Sequence, residues 1–303
     1  MLSKTRWYRG DMRFRPFIRM RAHFFMDLKG GVEMKTIVFV GAGSMAQAMI
    51  HGWVKEGTVF PENIYVMNKS DHSKLSSLKG KYGIQLVSDH TDIWKKADLV
   101  ILAMKPKDAQ DGIQAIASLL PSTAVVLSIM AGVPMQTIES GLGKRPICRC
   151  MPNTSATIGM SASAVAWNNQ MKSTEKKEIL QLLHTIGLVK EVDEEQLHIV
   201  TALAGSGPAY IYYLVESFEK AAIKNGLNQQ VARELIIQTI AGSAEMLKQS
   251  SESPSSLRKQ VTSPGGTTEA GIQLLQECNF EDIIANCLNK AEKRSRELGM
   301  HYI

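Results

Sequence analysis

The sequence predicts an α/β domain built on a parallel sheet, followed by an all-α domain, and three observations carry that prediction. Within residues 34–195, short continuous apolar runs end in turn residues and give way to helical patterns, the alternation expected of strand–helix–strand units. Beyond about Glu195 such runs stop, and apolar residues recur at three and four over roughly 208–225, 229–249 and 280–298. A length of 303 residues with 44% hydrophobic content suits two medium domains, each able to bury a core. The expected division is an N-terminal extension at 1–33, the sheet domain at 34–195 and the helical domain at 196–303.

The first strand is Thr36-Ile37-Val38-Phe39-Val40, a β-branched run of the kind that a sheet covered on both faces uses. It leads into Gly41-Ala42-Gly43-Ser44-Met45-Ala46 and then a helical stretch to about Glu56. This is G-x-G-x-x-A between a strand and a helix. The first glycine permits the tight turn and the second lets backbone approach a pyrophosphate. The small third residue lets helix and strand pack closely, with the phosphates at the helix N-terminus. The strand–turn–helix context is what gives the motif its weight and makes the domain Rossmann-like.

The second strand, Ile64 to Met67, ends at Asn68-Lys69-Ser70. An NAD enzyme usually places an acid here for the ribose 2′-hydroxyl. A cation, an amide and a hydroxyl suit a 2′-phosphate instead, so NADPH is the expected cofactor, with NADH as the second. The alternative for Lys69 is a solvated surface charge. Further buried strands are read at Leu99–Met104, Ala124–Ile129 and Ile147–Cys150, leading respectively to Lys105-Pro106, Ala131-Gly132 and Met151-Pro152-Asn153-Thr154. Ligands of open parallel sheets lie beyond the carboxyl ends of the strands. Lys105, Ala131, Gly132 and Asn153 are therefore expected to line one crevice. Lys105 as a helix-start surface residue, and Pro152-Asn153 as a structural turn, stand as the alternatives.

In the helical half, Gly205-Ser206-Gly207-Pro208 reads as the opening of one helix, with proline where a first turn tolerates it. Thr262-Ser263-Pro264-Gly265-Gly266-Thr267-Thr268 opens another. Two glycines there expose consecutive N–H groups and two threonines add hydroxyls. The result is either a carboxylate or phosphate receptor or a plain helix cap, and the residue types do not choose between them.

Composition narrows the function. No apolar run approaches the roughly 18 residues of a membrane span; the stretch Ala97 to Met104 is strand-sized and contains Asp98. The net charge of +6 concentrates in residues 1–33, which hold eight basic and three acidic side chains, so the remaining 270 carry only +1. A basic nucleic-acid face is not implied. Cys148, Cys150, Cys278 and Cys287 form no CxxC pair, which reads as a reduced cytosolic chain with packed thiols. Seven histidines show no ligand spacing, so no metal is expected, and no G-x-S-x-G elbow marks a hydrolase. His51 and His198 read as helix-surface or packed residues. The chemistry must come largely from the nicotinamide. Residues 1–33 are Arg-rich and studded with Trp7, Tyr8, Phe14, Phe17, Phe24 and Phe25, without the apolar core of a secretory signal. They are expected to be an upstream extension without essential function, Met34 being the natural start; a binding tail or a targeting segment are the alternatives.

Taken in order, Gly41–Ala46, Ala103-Met104-Lys105-Pro106, Met151–Thr154, Gly205-Ser206-Gly207-Pro208-Ala209-Tyr210 and Ser263–Thr268 resemble the motifs of the pyrroline-5-carboxylate reductase family, from Met34 to about Leu298. The chain looks most like the Bacillus-type bacterial members. The segment Val261 to Gly271 is highly specific to the family; the glycine fingerprint alone is not. The resemblance implies hydride transfer from NAD(P)H to the C=N bond of L-1-pyrroline-5-carboxylate, giving L-proline in the last step of proline biosynthesis in the cytoplasm. It implies that Gly41 to Ala46 hold the pyrophosphate, with Asn68, Lys69 and Ser70 near the adenosine ribose phosphate. It also implies that Ala103, Met104, Lys105 and Pro106 flank the nicotinamide ribose. Gly265, Gly266 and Thr267 then bind the substrate carboxylate, and Thr268, the catalytic candidate, bonds the ring nitrogen. The implied assembly is a homodimer formed by interleaved helical domains, with decamers as a further step. Ser155 stands where many relatives have Pro, Thr267 where some have Ala, and residues 1–33 have no family counterpart.

Two rival functions are weighed against this one. A 3-hydroxyacid dehydrogenase would need a Lys and an Asn one turn apart on a helix of the second domain. Lys224 and Asn228 have that spacing, but Asn225-Gly226 reads as a helix stop between them. A non-catalytic, nucleotide-binding regulatory paralogue would be expected to lose the carboxylate loop, which is complete here.

Overall fold

The computed structural model describes residues 34–300; the readings of residues 1–33 lie outside the described residues. Eight strands form one sheet in the order β3-β2-β1-β4-β5-β6-β7-β8. They are β1 (Ile37–Val40), β2 (Ile64–Met67), β3 (Gln85–Leu86), β4 (Leu99–Leu102), β5 (Val125–Ser128), β6 (Ile147–Met151), β7 (Ser161–Trp167) and β8 (Gly187–Glu191). Strands β1 to β6 run parallel; β7 is antiparallel to β6 and β8 parallel to β7. The sequence patterns foresee five of these eight and miss β3, β7 and β8.

Helices α1 (Ser44–Lys55), α2 (His72–Tyr82), α3 (Ala109–Ala117), α4 (Met135–Leu142) and α5 (Ser173–His184) accompany the sheet. Every residue of β1 and β4 is buried, as their unbroken apolar runs require. Along β1 the side chains alternate between two cores. Ile37 and Phe39 join Ala46, Met49, Ile50 and Trp53 of α1 on one face. Val38 and Val40 join Val100, Leu102, Ile113, Ile116 and Ile138 on the other. Trp53 Nε1 donates to the Leu182 carbonyl at 2.8 Å, which satisfies the one polar atom that this buried indole brings with it.

The helical half comprises α6 (Leu197–Val200) and a π-helical turn at Thr201–Gly205, then α7 (Gly207–Lys224), α8 (Gln229–Gln249), α9 (Pro254–Gln260), α10 (Thr267–Glu277) and α11 (Phe280–Met300). Gly205 to Pro208 open α7 as the sequence reads: Ser206 is its N-cap and Pro208 sits in the first turn, directly after the π-helical turn. Asn225 and Gly226 do end α7, and Asn228 caps α8 through Gln230 and Val231. Lys224 and Asn228 therefore lie on opposite sides of a break, which removes the shared face that the dehydrogenase rival needs.

These long helices do not bury their apolar residues within one chain. No residue of α7, α9 or α10 is buried, and α8 buries only Ala232. Tyr213 is 71% exposed, and Ile211, Leu235, Leu274 and Ile284 are exposed as well. Amphipathic helices leave such faces open only where another surface covers them. No helix of the described residues is long and apolar enough to cross a membrane.

The last helix returns to the sheet domain. Gly299 of α11 lies against Gly132 in the loop after β5. Buried Ser295 bonds His198 Nδ1 at 3.0 Å, and Arg296 bridges Glu292 and Glu195. Nearby, buried Arg149 on β6 pairs with Glu194 at 2.7 Å, whose carboxylate also accepts the first amide of α4.

Candidate active site

Strand order reverses at β1, whose neighbours β2 and β4 continue the sheet in opposite directions, so the crevice beyond the carboxyl ends of β1 and β4 is the topological switch point. Gly41 occupies it with φ +112°, a conformation side chains rarely adopt, and a Cβ there would lie 2.7 Å from the carbonyl carbon and oxygen of Ala103. Its amide donates to Met67 O at 2.9 Å, which stitches the turn to β2. Gly43 is the extended N-cap of α1 and makes no side-chain cap bond. The amides of Ser44, Met45 and Ala46 therefore lack both intrahelical and side-chain acceptors, the arrangement that receives a phosphate. Ala46 is fully buried beneath them, as close helix–sheet packing demands. These residues fit a dinucleotide pyrophosphate. Ala42 and Met45 contribute through backbone only, because their side chains join the core.

The other cofactor candidates gather around the same crevice. Asn68, Lys69 and Ser70 follow β2 directly, with Lys69 and Ser70 exposed. Asp71, the next residue, is the N-cap of α2: its carboxylate accepts from the Lys74 amide at 2.9 Å and from Ser73 Oγ at 2.8 Å. Those hydrogen bonds hold the carboxyl below its usual range. Lys69 is not a solitary surface charge, since Nζ pairs with Asp111 of α3 at 3.1 Å. Ala103 donates its amide to Val40 O at 2.9 Å. Met104 turns its side chain back onto Gly112 and the core, so only its backbone faces the crevice. Lys105 is exposed and Pro106 begins a short 3₁₀ turn before α3. Ala131 is half-buried after β5.

Asn153, which follows β6, has both side-chain polar atoms engaged within the protein. It is buried, its Oδ1 accepts from the Ser155 amide at 3.2 Å, and its Nδ2 donates to Ala204 O at 3.0 Å. The side chain ties the segment after β6 to the π-helical turn of the helical half.

The glycine–threonine segment differs from its expected form. Gly265 adopts φ +71° and Gly266 is the N-cap of α10. Their amides are not free: Gly266 donates to Ser263 O at 3.0 Å, and Gly265 donates to the Glu269 carboxylate at 2.8 Å. The amides without intrahelical partners are those of Thr267, Thr268 and Glu269, the first three helical residues. Nothing lies within 4 Å of a Cβ at Gly265, and both threonines are exposed.

Two contacts escape sequence reasoning. Glu269 stands three residues after the cap, a capping-box spacing that the sequence does display. Asp111 lies 42 residues from Lys69, and no local pattern joins them. Of the cysteines, Cys148 and Cys150 are packed in the core, where burial pushes both thiols up, whereas Cys278 is exposed and departs from the packed-thiol expectation. Among the described residues, no group of three or more His, Cys, Asp or Glu side chains is placed to hold a metal ion.

An obligate-glycine turn at the switch point, uncapped amides above it and a helical half with open apolar faces define a dinucleotide-dependent oxidoreductase with a dimerisation domain. Residues 36–132 match the family model described as NADP oxidoreductase, coenzyme F420-dependent, and residues 194–298 match the one described as pyrroline-5-carboxylate reductase dimerisation. The sequence is 44% identical to pyrroline-5-carboxylate reductase 2 of Bacillus subtilis, covering 88% of this chain and 95% of the relative. The solved pyrroline carboxylate reductase of Plasmodium falciparum with NADP bound is similar at TM-score 0.81 and 28% identity, covering 89% of this chain and all of that one. The Coxiella burnetii pyrroline-5-carboxylate reductase follows at TM-score 0.80 and 34% identity, covering 88% and 99%. The chain belongs to the pyrroline-5-carboxylate reductase family.

Proposed function

We propose that the chain reduces the C=N bond of L-1-pyrroline-5-carboxylate to give L-proline, the last step of proline biosynthesis, in the cytoplasm and with NADPH preferred over NADH. The observation that carries this reading is the pairing, in one chain 44% identical to such a reductase, of a pyrophosphate turn at Gly41–Ala46 with a second uncapped helix start at Gly266–Thr268. When bound, the nicotinamide supplies the hydride.

The protein's own residues bind and orient. The amides of Ser44, Met45 and Ala46 take the pyrophosphate at the positive end of α1. Lys69, with Asn68 and Ser70, takes the 2′-phosphate of the adenosine ribose. Backbone of Ala103 and Met104, with Lys105, Pro106 and Ala131, flanks the nicotinamide ribose, and Asn153 holds the helical half in register with that edge. The Gly265-Gly266-Thr267 turn receives the substrate carboxylate, which meets the Thr267 amide and competes with Glu269 for that of Gly265, and Thr268 hydrogen-bonds the ring nitrogen.

A cyclic imine protonated in solution is already a hydride acceptor, so neutral donors that fix its carboxylate and ring suffice, and no strongly shifted general acid is required. The open faces of α7, α8, α10 and α11 support a homodimer in which helical domains interleave and the Thr268 segment of one protomer completes the crevice of its partner. Dimers assemble further into decamers. The functional division falls at 195/196.

Following NADPH loss with L-1-pyrroline-5-carboxylate tests the proposal. Substrate-dependent oxidation with L-proline as product is expected. Cofactor binding without turnover would overturn it.

A further inference from the structure

The ion pair between Lys69 and Asp111 has a position that the reading of Lys69 as the 2′-phosphate ligand does not use. Lys69 follows β2 and Asp111 lies in the first turn of the helix after β4. Those strands flank β1 on either side, so the 3.1 Å contact joins the two banks of the crevice above the glycine turn. The other carboxylate near the end of β2, Asp71, is committed to capping α2. Both members of the pair are open to water, at 74% and 71% side-chain exposure, so burial holds neither and a competing anion can separate them.

We propose that Asp111 is a specificity-determining residue, competing with the cofactor's 2′-phosphate for Lys69; this rests on the assignment of Lys69 made above. A phosphate dianion outweighs a carboxylate for the ammonium. Taking Lys69 nevertheless breaks an existing pair and leaves Asp111 facing a like charge. An unphosphorylated ribose brings no charge and leaves the pair intact. The penalty imposed by Asp111 therefore falls on NADP(H) alone, and it narrows the discrimination that Lys69 creates.

The test is equilibrium binding of NADP⁺ and NAD⁺ by calorimetry to the full chain, without turnover, across a range of salt concentrations. Asp111→Asn is expected to tighten NADP⁺ about two- to fivefold at low salt, the range an exposed pair commands, with the gain shrinking as salt rises. NAD⁺ affinity stays unchanged. Lys69→Met is expected to weaken NADP⁺ about tenfold, as loss of a charge-assisted hydrogen bond does. If Lys69→Met weakens NADP⁺ and Asp111→Asn leaves it unchanged, Lys69 keeps its role and the Asp111 proposal fails. If Lys69→Met leaves NADP⁺ binding intact, the 2′-phosphate assignment itself fails. Equal tightening of both nucleotides by Asp111→Asn also overturns the proposal.

Discussion

Gly41→Ala should damage the protein in a way that Gly43→Ala does not, although both glycines belong to one motif. At Gly41 the new methyl would sit 2.7 Å from the Ala103 carbonyl carbon and oxygen and 2.8 Å from the Met104 amide, on a backbone at φ +112°. The neighbours are backbone atoms of the strand–loop junction that cannot swing aside. Strain at such a φ costs about 1–3 kcal/mol, and overpacking adds about 1–3 kcal/mol. The sum, roughly 2–6 kcal/mol, is a large share of the 5–15 kcal/mol that typically separates folded from unfolded. At about 2–4 °C per kcal/mol for a domain of this size, Tm should fall on the order of 10 °C.

At Gly43 the backbone has φ −65° and the nearest atom to a new Cβ is Ala103 O at 3.6 Å, an ordinary contact. The loss there should stay under about 1 kcal/mol, the difference between glycine and alanine at an N-cap. Its methyl nonetheless stands where the pyrophosphate must approach, so NADP⁺ affinity should drop at least about tenfold while Tm barely moves. Calorimetric unfolding and calorimetric nucleotide binding on both variants separate the two effects. A Gly41→Ala protein that melts with the wild type would refute the steric reasoning. So would a Gly43→Ala protein that binds NADP⁺ normally, for the phosphate part of it.

Three further outcomes are expected. Burial, reinforced by Arg296 and Arg149 and opposed by Glu195 and Glu292, holds His198 below its ordinary value of 6.5. The unfolded chain therefore binds the proton more readily, so stability should be full above about pH 6.5 and decline as pH falls toward the folded value. Burial holds His184 below 6.5 as well, so in denaturant unfolding against pH the His198→Asn variant should lose part of that slope, and an undiminished slope would assign it elsewhere; the Glu195–Arg296 pair, whose carboxyl is held below its ordinary 4.5, adds its own loss only at lower pH. Glu269 occupies the Gly265 amide, so Glu269→Gln should lower KM for the anionic substrate a fewfold by removing a like charge, with kcat little changed. An unchanged KM would show that the substrate carboxylate never meets Glu269. Thr268→Ala should lower kcat by about tenfold, the scale of one lost orienting hydrogen bond, with partial rescue by Thr268→Ser; wild-type kinetics in the alanine variant would remove Thr268 from the chemistry.

Much of this architecture is legible in the amino acids because it is local. The runs around Ile37–Val40, Ile64–Met67, Leu99–Leu102 and Val125–Ser128 are apolar and β-branched enough to announce central strands. The glycine turn follows from the same logic, since G-x-G-x-x-A between strand and helix has few other physical uses. Strand β7, Ser161-Ala162-Ser163-Ala164-Val165-Ala166-Trp167, is made largely of weak strand formers, and antiparallel pairing with β6 decides its conformation. The two residues of β3 are too few to carry a period.

The sequence by itself determined five of the eight strands in their order, the crevice-forming turn and the amphipathic helices, because each depends on residues within one turn or one strand. Only the tertiary structure decided which groups meet across the chain. It set Asp111 on Lys69, tied Asn153 to Ala204, and closed Ser295 on His198. It also left the helices of residues 207–277 with their apolar faces open. The reason is that a side chain's partner across tens of residues is chosen by strand order and helix packing, for which local periodicity carries no record.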